Sequence, residues 1–177
     1  MTATRVLTVV VAFALFDLGG PDGIQVSTLI RDGRVHVSFA LAEKAMTDAE
    51  ATIQAALPTT FIYEVELRHA VSLWFDRTLA SSAVTATVQY DTLTGRHHLS
   101  RSIDGRLEDS RVTDDRAEVR RYMSEFERLP LFSTADLEAN TEYYVRVRAR
   151  TRPRVTWFFW PWDRGLASGR AQFTFIP

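Results

Sequence analysis

The chain contains no cysteine. This absence excludes a disulfide scaffold, a zinc site built from thiolates and a cysteine nucleophile. The chain also has no large excess of charge of either sign, because 21 basic and 22 acidic residues leave a formal net charge of -1. The overall charge therefore gives no indication of a nucleic-acid partner.

The apolar run near the start is short. Residues 6–16 are apolar apart from Thr8, whereas a helix that spans a bilayer needs about 20 apolar residues. Because Arg5 precedes the run, residues 1–20 are predicted to be a secretory signal peptide. The alternative is an N-terminal strand, since Val, Thr and Phe favour strands. The first interpretation predicts a periplasmic or otherwise exported protein, and the second a cytoplasmic one.

The composition is that of a folded domain. The 177 residues are 46% hydrophobic and 11% aromatic, which excludes disorder and low complexity. A chain of this length buries about 70% of the surface that its unfolded form exposes. No repeat or linker divides the sequence, so residues 21–177 are predicted to form a single domain.

Strand-like segments follow one another along most of the chain. Asp32-Gly33 joins residues 24–31 to residues 34–41, and Asp-Gly between two such runs is a strong hairpin signal. Asp104-Gly105 predicts a second hairpin, polar enough to be an exposed ribbon or a sheet edge. The two strands of that hairpin are residues 96–102 and 106–112. The remaining predicted strands are residues 61–76, 83–90, 143–151 and 171–176.

One amphipathic helix is predicted between Thr113, its expected N-cap, and Pro130. The apolar residues that recur at helical spacing are Val119, Tyr122, Met123 and Phe126. A shorter helix is expected after Thr47.

Strands outnumber helices, which predicts a mainly β protein. Leu137, Thr141 and Tyr143 have the spacing of the tyrosine corner found in many sandwiches, where the hydroxyl bonds to backbone a few residues upstream. We therefore expect an immunoglobulin-like or fibronectin type III-like antiparallel β-sandwich with one or two inserted helices. The alternative is an α+β sheet with both helices on one face.

Aromatic residues are concentrated between the last two predicted strands. Five of them fall within six residues, namely Trp157, Phe158, Phe159, Trp160 and Trp162. One face of a strand cannot bury all of them, because neighbouring side chains point to opposite sides. This aromatic segment is interpreted either as an exposed binding loop or as a lid over the open end of the core.

Arginines alternate along the preceding strand. The residues are Arg146, Arg148, Arg150, Arg152 and Arg154. A regular strand places alternate side chains on one face, so they form a candidate binding surface for anions. Arg164 flanks the aromatic segment on its other side. The alternative is an ordinary solvated face whose arginines pair across strands with acids such as Glu64 and Glu66.

The motifs of common enzymes are missing from the sequence. It contains no phosphate-binding loop, dinucleotide fingerprint or nucleophile elbow. His97 and His98 are adjacent, and neighbours on a strand face opposite sides, so the pair is poorly placed to share a metal. We expect no enzymatic activity, no metal and no cofactor.

The order of the segments resembles a bacterial family known as domain of unknown function 4390. The segments that carry the likeness are residues 24–41, 57–61, 73–76, 88–91, 129–131 and 143–147, with the aromatic residues 157–163 as the close. The resemblance implies an exported protein for which no catalytic residues are defined. It also implies relatives that are often encoded beside a sensor histidine kinase.

The leading hypothesis is a non-enzymatic binding domain that holds a protein or an envelope component on the aromatic segment and the arginine row. Peripheral membrane contact is compatible with it, and its oligomeric state is left open. One alternative is an accessory domain that modulates a membrane sensor kinase. Another is an enzyme that acts on envelope glycans.

Overall fold

The computed structural model describes residues 23–44, 46–47, 58–69, 77–153 and 165–176. The expected leader, the body of the helix expected after Thr47 and the aromatic segment lie outside the described residues. The strands are β1 (Ile24–Arg31), β2 (Arg34–Leu41), β3 (Thr59–His69), β4 (Arg77–Asp91), β5 (Arg96–Ile103), β6 (Arg106–Thr113), β7 (Glu125–Ser133), β8 (Thr141–Pro153) and β9 (Gly165–Phe175). One helix, α1 (Arg116–Ser124), lies between β6 and β7.

The strands form two antiparallel sheets. The smaller has the order β1-β2-β7, and the larger has the order β6-β5-β4-β3-β8-β9. The predicted mainly β sandwich is confirmed, rather than an α+β arrangement. The described residues 43–44 and 46–47 are also helical, so the prediction that the shorter helix begins after Thr47 is wrong, and Thr47 lies within helical structure. Its division into three and six strands differs from the four and three strands of an immunoglobulin constant domain.

The two predicted Asp-Gly hairpins are present. Asp32 and Gly33 have φ angles of 51° and 70°, and Asp104 and Gly105 have φ angles of 50° and 81°. Two successive positive φ angles define the turn whose twist matches paired strands, and glycine adopts them without steric cost. Local sequence therefore sets both hairpins.

The helix α1 is shorter than the spacing of its apolar residues predicts, and the N-cap predicted from the sequence is wrong. Asp115, not Thr113, is the N-cap, and its carboxylate accepts from the Ala117 N–H at 2.8 Å. The chain then turns into β7 at Glu125, so Phe126 lies on a strand opposite Phe39 of β2. Pairing with β2 overrides the helical periodicity here, since tertiary context outweighs propensity. No helix in the described ranges is long and apolar enough to cross a bilayer.

The tyrosine corner is also present. The backbone N–H of Glu138 donates to the hydroxyl of Tyr143 at 2.8 Å, just before β8 begins. Asn140, in the turn between them, has a φ of 56°, a conformation that asparagine tolerates better than most residues. This bond fixes the entry of β8 into the large sheet.

Three aromatic rings join the two sheets in the core. Tyr63 of β3 lies 5.0 Å from Phe39 of β2 and 4.9 Å from Phe126 of β7, measured between ring centroids. Phe39 and Phe126 are stacked at 4.6 Å. The Tyr63 hydroxyl donates to the Met123 carbonyl at 2.6 Å, and burial raises the pKa of this phenol. The buried hydroxyl is thus satisfied at the end of the helix, as a buried polar group must be.

Arg101, on β5 of the large sheet, donates hydrogen bonds to carbonyls at the C-terminal end of α1. Its Nε donates to the Tyr122 carbonyl at 3.0 Å, and its Nη2 donates to that carbonyl and to the Glu125 carbonyl, the latter at 2.7 Å. The guanidinium carbon lies 4.1 Å from the ring centroid of Tyr122 and 4.2 Å from that of Phe126. Burial lowers the pKa of Arg101. The last carbonyls of a helix have no partner within it, and here a cation meets them at the negative end of the helix dipole.

β1 packs directly on the backbone of β9. A Cβ built on Gly169 would lie 1.9 Å from the Ile24 carbonyl oxygen and 2.8 Å from its carbon. The neighbouring inward residues of β9 are also small, namely Ala167 and Ala171. Glycine is required here for a close approach of two backbones, because a Cβ would occupy the space of a carbonyl.

Arg101→Met is expected to lower the free energy of unfolding by about 2 kcal/mol or more, because it leaves buried carbonyls without their charged donor. Chemical denaturation of the wild type and the variant measures this loss. Arg106→Met is the matched control, since Arg106 lies on the adjacent strand and its side chain is 82% exposed in a pair with Glu108. Equal and small losses in both variants would show that Arg101 is not needed at the end of α1.

Gly169→Ala is expected to destabilise the protein by about 1–3 kcal/mol, because the added methyl forces β1 away from β9. Ser168→Ala, on the other side of the same strand, is expected to leave the melting temperature nearly unchanged. Thermal unfolding by circular dichroism compares the two. An unchanged melting temperature for Gly169→Ala would mean that β1 does not lie against β9.

Candidate functional site

β8 has one apolar side and one basic side. Val145, Val147 and Ala149 point into the core and are completely buried. Arg146, Arg148 and Arg150 alternate with them and therefore point out from the large sheet. The structure thus places these three candidate residues on one face, as the alternation predicts.

Two of these arginines donate hydrogen bonds to the same carboxylate, that of Glu66. Glu66 on β3 lies directly opposite Arg146, whose Nε and Nη2 donate to Glu66 Oε2 at 3.1 and 2.6 Å. Arg148 donates from Nη2 to Glu66 Oε1 at 2.8 Å. Both oxygens of the carboxylate are therefore held by guanidinium groups, and charge-assisted bonds of this length are strong.

Two more ion pairs extend this arrangement along β3. Arg68 Nη1 lies 3.6 Å from Glu66 Oε2, and Arg150 Nη2 lies 3.2 Å from Glu64 Oε2. Arg148 faces Glu64 in the register yet pairs with Glu66, so its side chain reaches diagonally along the sheet. The cross-strand pairing predicted as the alternative to a free anion surface is therefore present, and it involves both predicted acids.

The neighbouring arginines affect the pKa of Glu66 more strongly than its burial does. Burial alone raises the pKa of this carboxyl, but the hydrogen bonds and charges of Arg146 and Arg148 hold it below its ordinary value. The Glu66 side chain is only 16% exposed, whereas those of Arg146 and Arg148 are 31% and 39% exposed. The carboxylate thus lies beneath the guanidinium groups, which keep part of their surface in contact with solvent.

The basic surface is wider than the row read from the sequence. Arg68 lies 5.9 Å from the ring centroid of Tyr144, and Arg170 on β9 faces Arg146 directly. We define the arginine face as the outward charged side chains of β3, β8 and β9 that the structure describes. Its members are Glu64, Glu66, Arg68, Glu142, Arg146, Arg148, Arg150 and Arg170. It carries five arginines and three glutamates in a chain whose formal net charge is -1.

Arg68 and Arg170 did not stand out as site residues in the sequence. Arg68 continues the outward alternation of Glu64 and Glu66, so extending that alternation would have found it. Arg170 requires the register between β8 and β9, which no local pattern supplies. Arg152 belongs to β8, whereas Arg154 lies outside the described residues.

The aromatic part of the predicted site lies beyond what the structure describes. This applies to Trp157, Phe158, Phe159, Trp160 and Trp162, and also to Arg164. β8 ends at Pro153, opposite Thr59, and β9 begins at Gly165, opposite Arg150. The arginine row therefore runs toward the end of the sandwich at which the chain leaves β8 and returns to β9.

Within the described ranges, no three His, Asp or Glu side chains are grouped closely enough to hold a metal ion. His97 packs against Tyr90, with ring centroids 4.8 Å apart. His98 lies in register with Gln89, on the outward side of the sheet.

Comparison with known families identifies a match that covers most of the chain. The family model described as domain of unknown function (DUF4390) matches residues 24–154, from the first residue of β1 to just beyond β8. No curated protein and no solved structure matches the chain.

The depressed pKa of Glu66 predicts a pH dependence of stability. A carboxyl with a lower pKa in the folded state stabilises the fold above its unfolded pKa of about 4.3, and the contribution is lost as the pH falls through the folded pKa. We expect wild-type stability to fall more steeply than that of Glu66→Gln below about pH 5. Urea denaturation at a series of pH values measures both slopes. Parallel curves would contradict the pairing of Glu66 with Arg146 and Arg148.

Proposed function

The chain belongs to the DUF4390 family, and from this premise we propose that it is a non-enzymatic binding protein of the bacterial cell envelope. It holds an acidic partner, a protein or an envelope component, on the arginine face. The support for this proposal comes from the charge balance and the geometry around Glu66.

The observation that carries the proposal is the ratio of charges at the centre of the face. One carboxylate, Glu66, lies within 4.0 Å of three guanidinium groups, those of Arg68, Arg146 and Arg148. Arg146 also faces Arg170 in the register, and like charges directly opposite each other are unfavourable. An acidic partner would compensate this excess of positive charge.

Preorganisation favours binding at the same place. A free arginine side chain loses considerable rotamer entropy when it is fixed. Arg146 and Arg148 are already held by Glu66, so a partner that contacts their exposed edges has less entropy to overcome. The Nε of Arg148 is buried and has no hydrogen-bond partner among the residues that the structure describes.

The envelope location and the aromatic contribution come from the sequence. The apolar run at residues 6–16 supports export, and the aromatic segment connects the two strands that carry much of the arginine face. Tryptophan and arginine are the residue types that dominate binding energy at interfaces. We therefore include Trp157, Trp160 and Trp162 in the proposed surface.

The test removes the arginine row and measures binding of defined anionic probes. The variant Arg146→Ala/Arg148→Ala/Arg150→Ala should bind poly-L-glutamate about tenfold or more weakly than the wild type, because about 1.4 kcal/mol corresponds to a factor of ten. The wild-type affinity should fall with added salt. Vesicles that contain phosphatidylglycerol form the second arm and distinguish a lipid source of negative charge from a carboxylate source.

A matched variant controls for net charge. Arg31→Ala/Arg77→Ala/Arg106→Ala removes the same charge from exposed positions outside the arginine face, and it should bind both probes nearly as well as the wild type. Equal weakening of both triple variants would mean that overall charge, not this face, governs binding. No measurable binding of either probe by the wild type would reject the proposal.

A further inference from the structure

A cleft opens at the end of the sandwich where β4 ends and β5 begins. It has a volume of about 890 Å³ and lies between α1 and the turn that joins these two strands. Small-molecule sites commonly have volumes of about 300–1,000 Å³. The cleft lies on the inner side of the large sheet, so it is separate from the arginine face.

One part of the cleft lining is apolar. Met46 and Val119 line it and are 1% and 4% exposed, so they belong to the core. Tyr90 and His97 line it from the sheet with their rings packed together. A ligand that enters the cleft therefore meets the side of the hydrophobic core.

The helix contributes positive charge to the same cleft. Arg116, Arg120 and Arg121 all line it. Arg120 is paired with Glu43 at 2.9 Å. The guanidinium groups of Arg116 and Arg121 form no ion pair with any residue of the described ranges. Among the described lining residues Asp114 is the one acid, so this described part of the lining has more positive than negative side chains.

Glu43 already compensates the charge of Arg120, so the positive charge that remains in the described lining is that of Arg116 and Arg121. An anionic head can accept hydrogen bonds from these two guanidinium groups.

We propose that this cleft binds an amphiphile with one anionic head and one apolar chain. The head is a carboxylate or a phosphate that contacts Arg116 and Arg121. The chain lies along Met46 and Val119. This inference does not depend on the arginine face, because none of the described residues that line the cleft belongs to that face.

The experiment uses dodecanoate and dodecyl phosphate below their critical micelle concentrations, with isothermal titration calorimetry of the full chain. Both should bind at one site, and their relative affinities distinguish a fatty-acid head from a phosphate head. Acetate has the charge without the chain, and dodecyl maltoside has the chain without the charge. Each should bind at least about tenfold more weakly. Equal binding of either control would overturn the proposal, because half of the site would then be unnecessary.

Two variants locate the site. Ala117→Trp places a large side chain in the cleft from an exposed helix position and should abolish dodecanoate binding. Glu118→Trp, the next residue and not part of the lining, should bind as the wild type does. Arg116→Ala/Arg121→Ala should weaken dodecanoate binding about tenfold and leave dodecyl maltoside unaffected. Unchanged dodecanoate binding by Ala117→Trp, or no binding by the wild type, would reject the cleft as the site.

Discussion

The structure depends on which groups donate hydrogen bonds to the carbonyls at the C-terminal end of α1. At Ser124 the chain passes from a helix directly into β7, with no loop in which water could meet the last helical carbonyls. Arg101 and Tyr63, both on the large sheet, donate to those carbonyls instead. These donors and the stacked rings of Phe39 and Phe126 tie the large sheet to both the helix and the small sheet. An unpaired buried carbonyl costs more than an ordinary hydrogen bond returns, so this junction determines where β7 can lie.

The position of α1 in turn creates the cleft. The helix covers the inner side of β4, β5 and β6, where the three-stranded sheet does not reach. Its buried residues include Val119, Tyr122 and Met123, which complete the core, while Arg116 and Arg121 remain exposed. A short helix that must fill a gap between sheets of unequal width leaves space at one of its ends. The cleft occupies that space beside its N-terminal turn.

The features predicted correctly from the sequence are those set by neighbouring residues. Both Asp-Gly turns, the alternation along β8 and the tyrosine corner need only short-range chemistry, and all are present. The end of α1 was missed because Phe126 fits a helical stripe equally well, and only its pairing with Phe39 makes it a strand residue. The role of Arg101 was missed for the same reason, since its partners lie about 20 residues away on another element. For the arginine row, the sequence predicted the face and the acids, but the sharing of Glu66 by three arginines follows from the register.

β8 contributes to the core on one side and carries the proposed binding surface on the other. In its middle, the inward residues Val145, Val147 and Ala149 are β-branched or small. They face the small residues Ala171, Gly169 and Ala167 of β9, which lets β1 approach the backbone at Gly169. That close packing holds β8 and β9 in a fixed register and therefore holds Arg146 opposite both Glu66 and Arg170. The arginine face therefore has its charges fixed at defined positions on the sheet, which is consistent with the acidic partner proposed above.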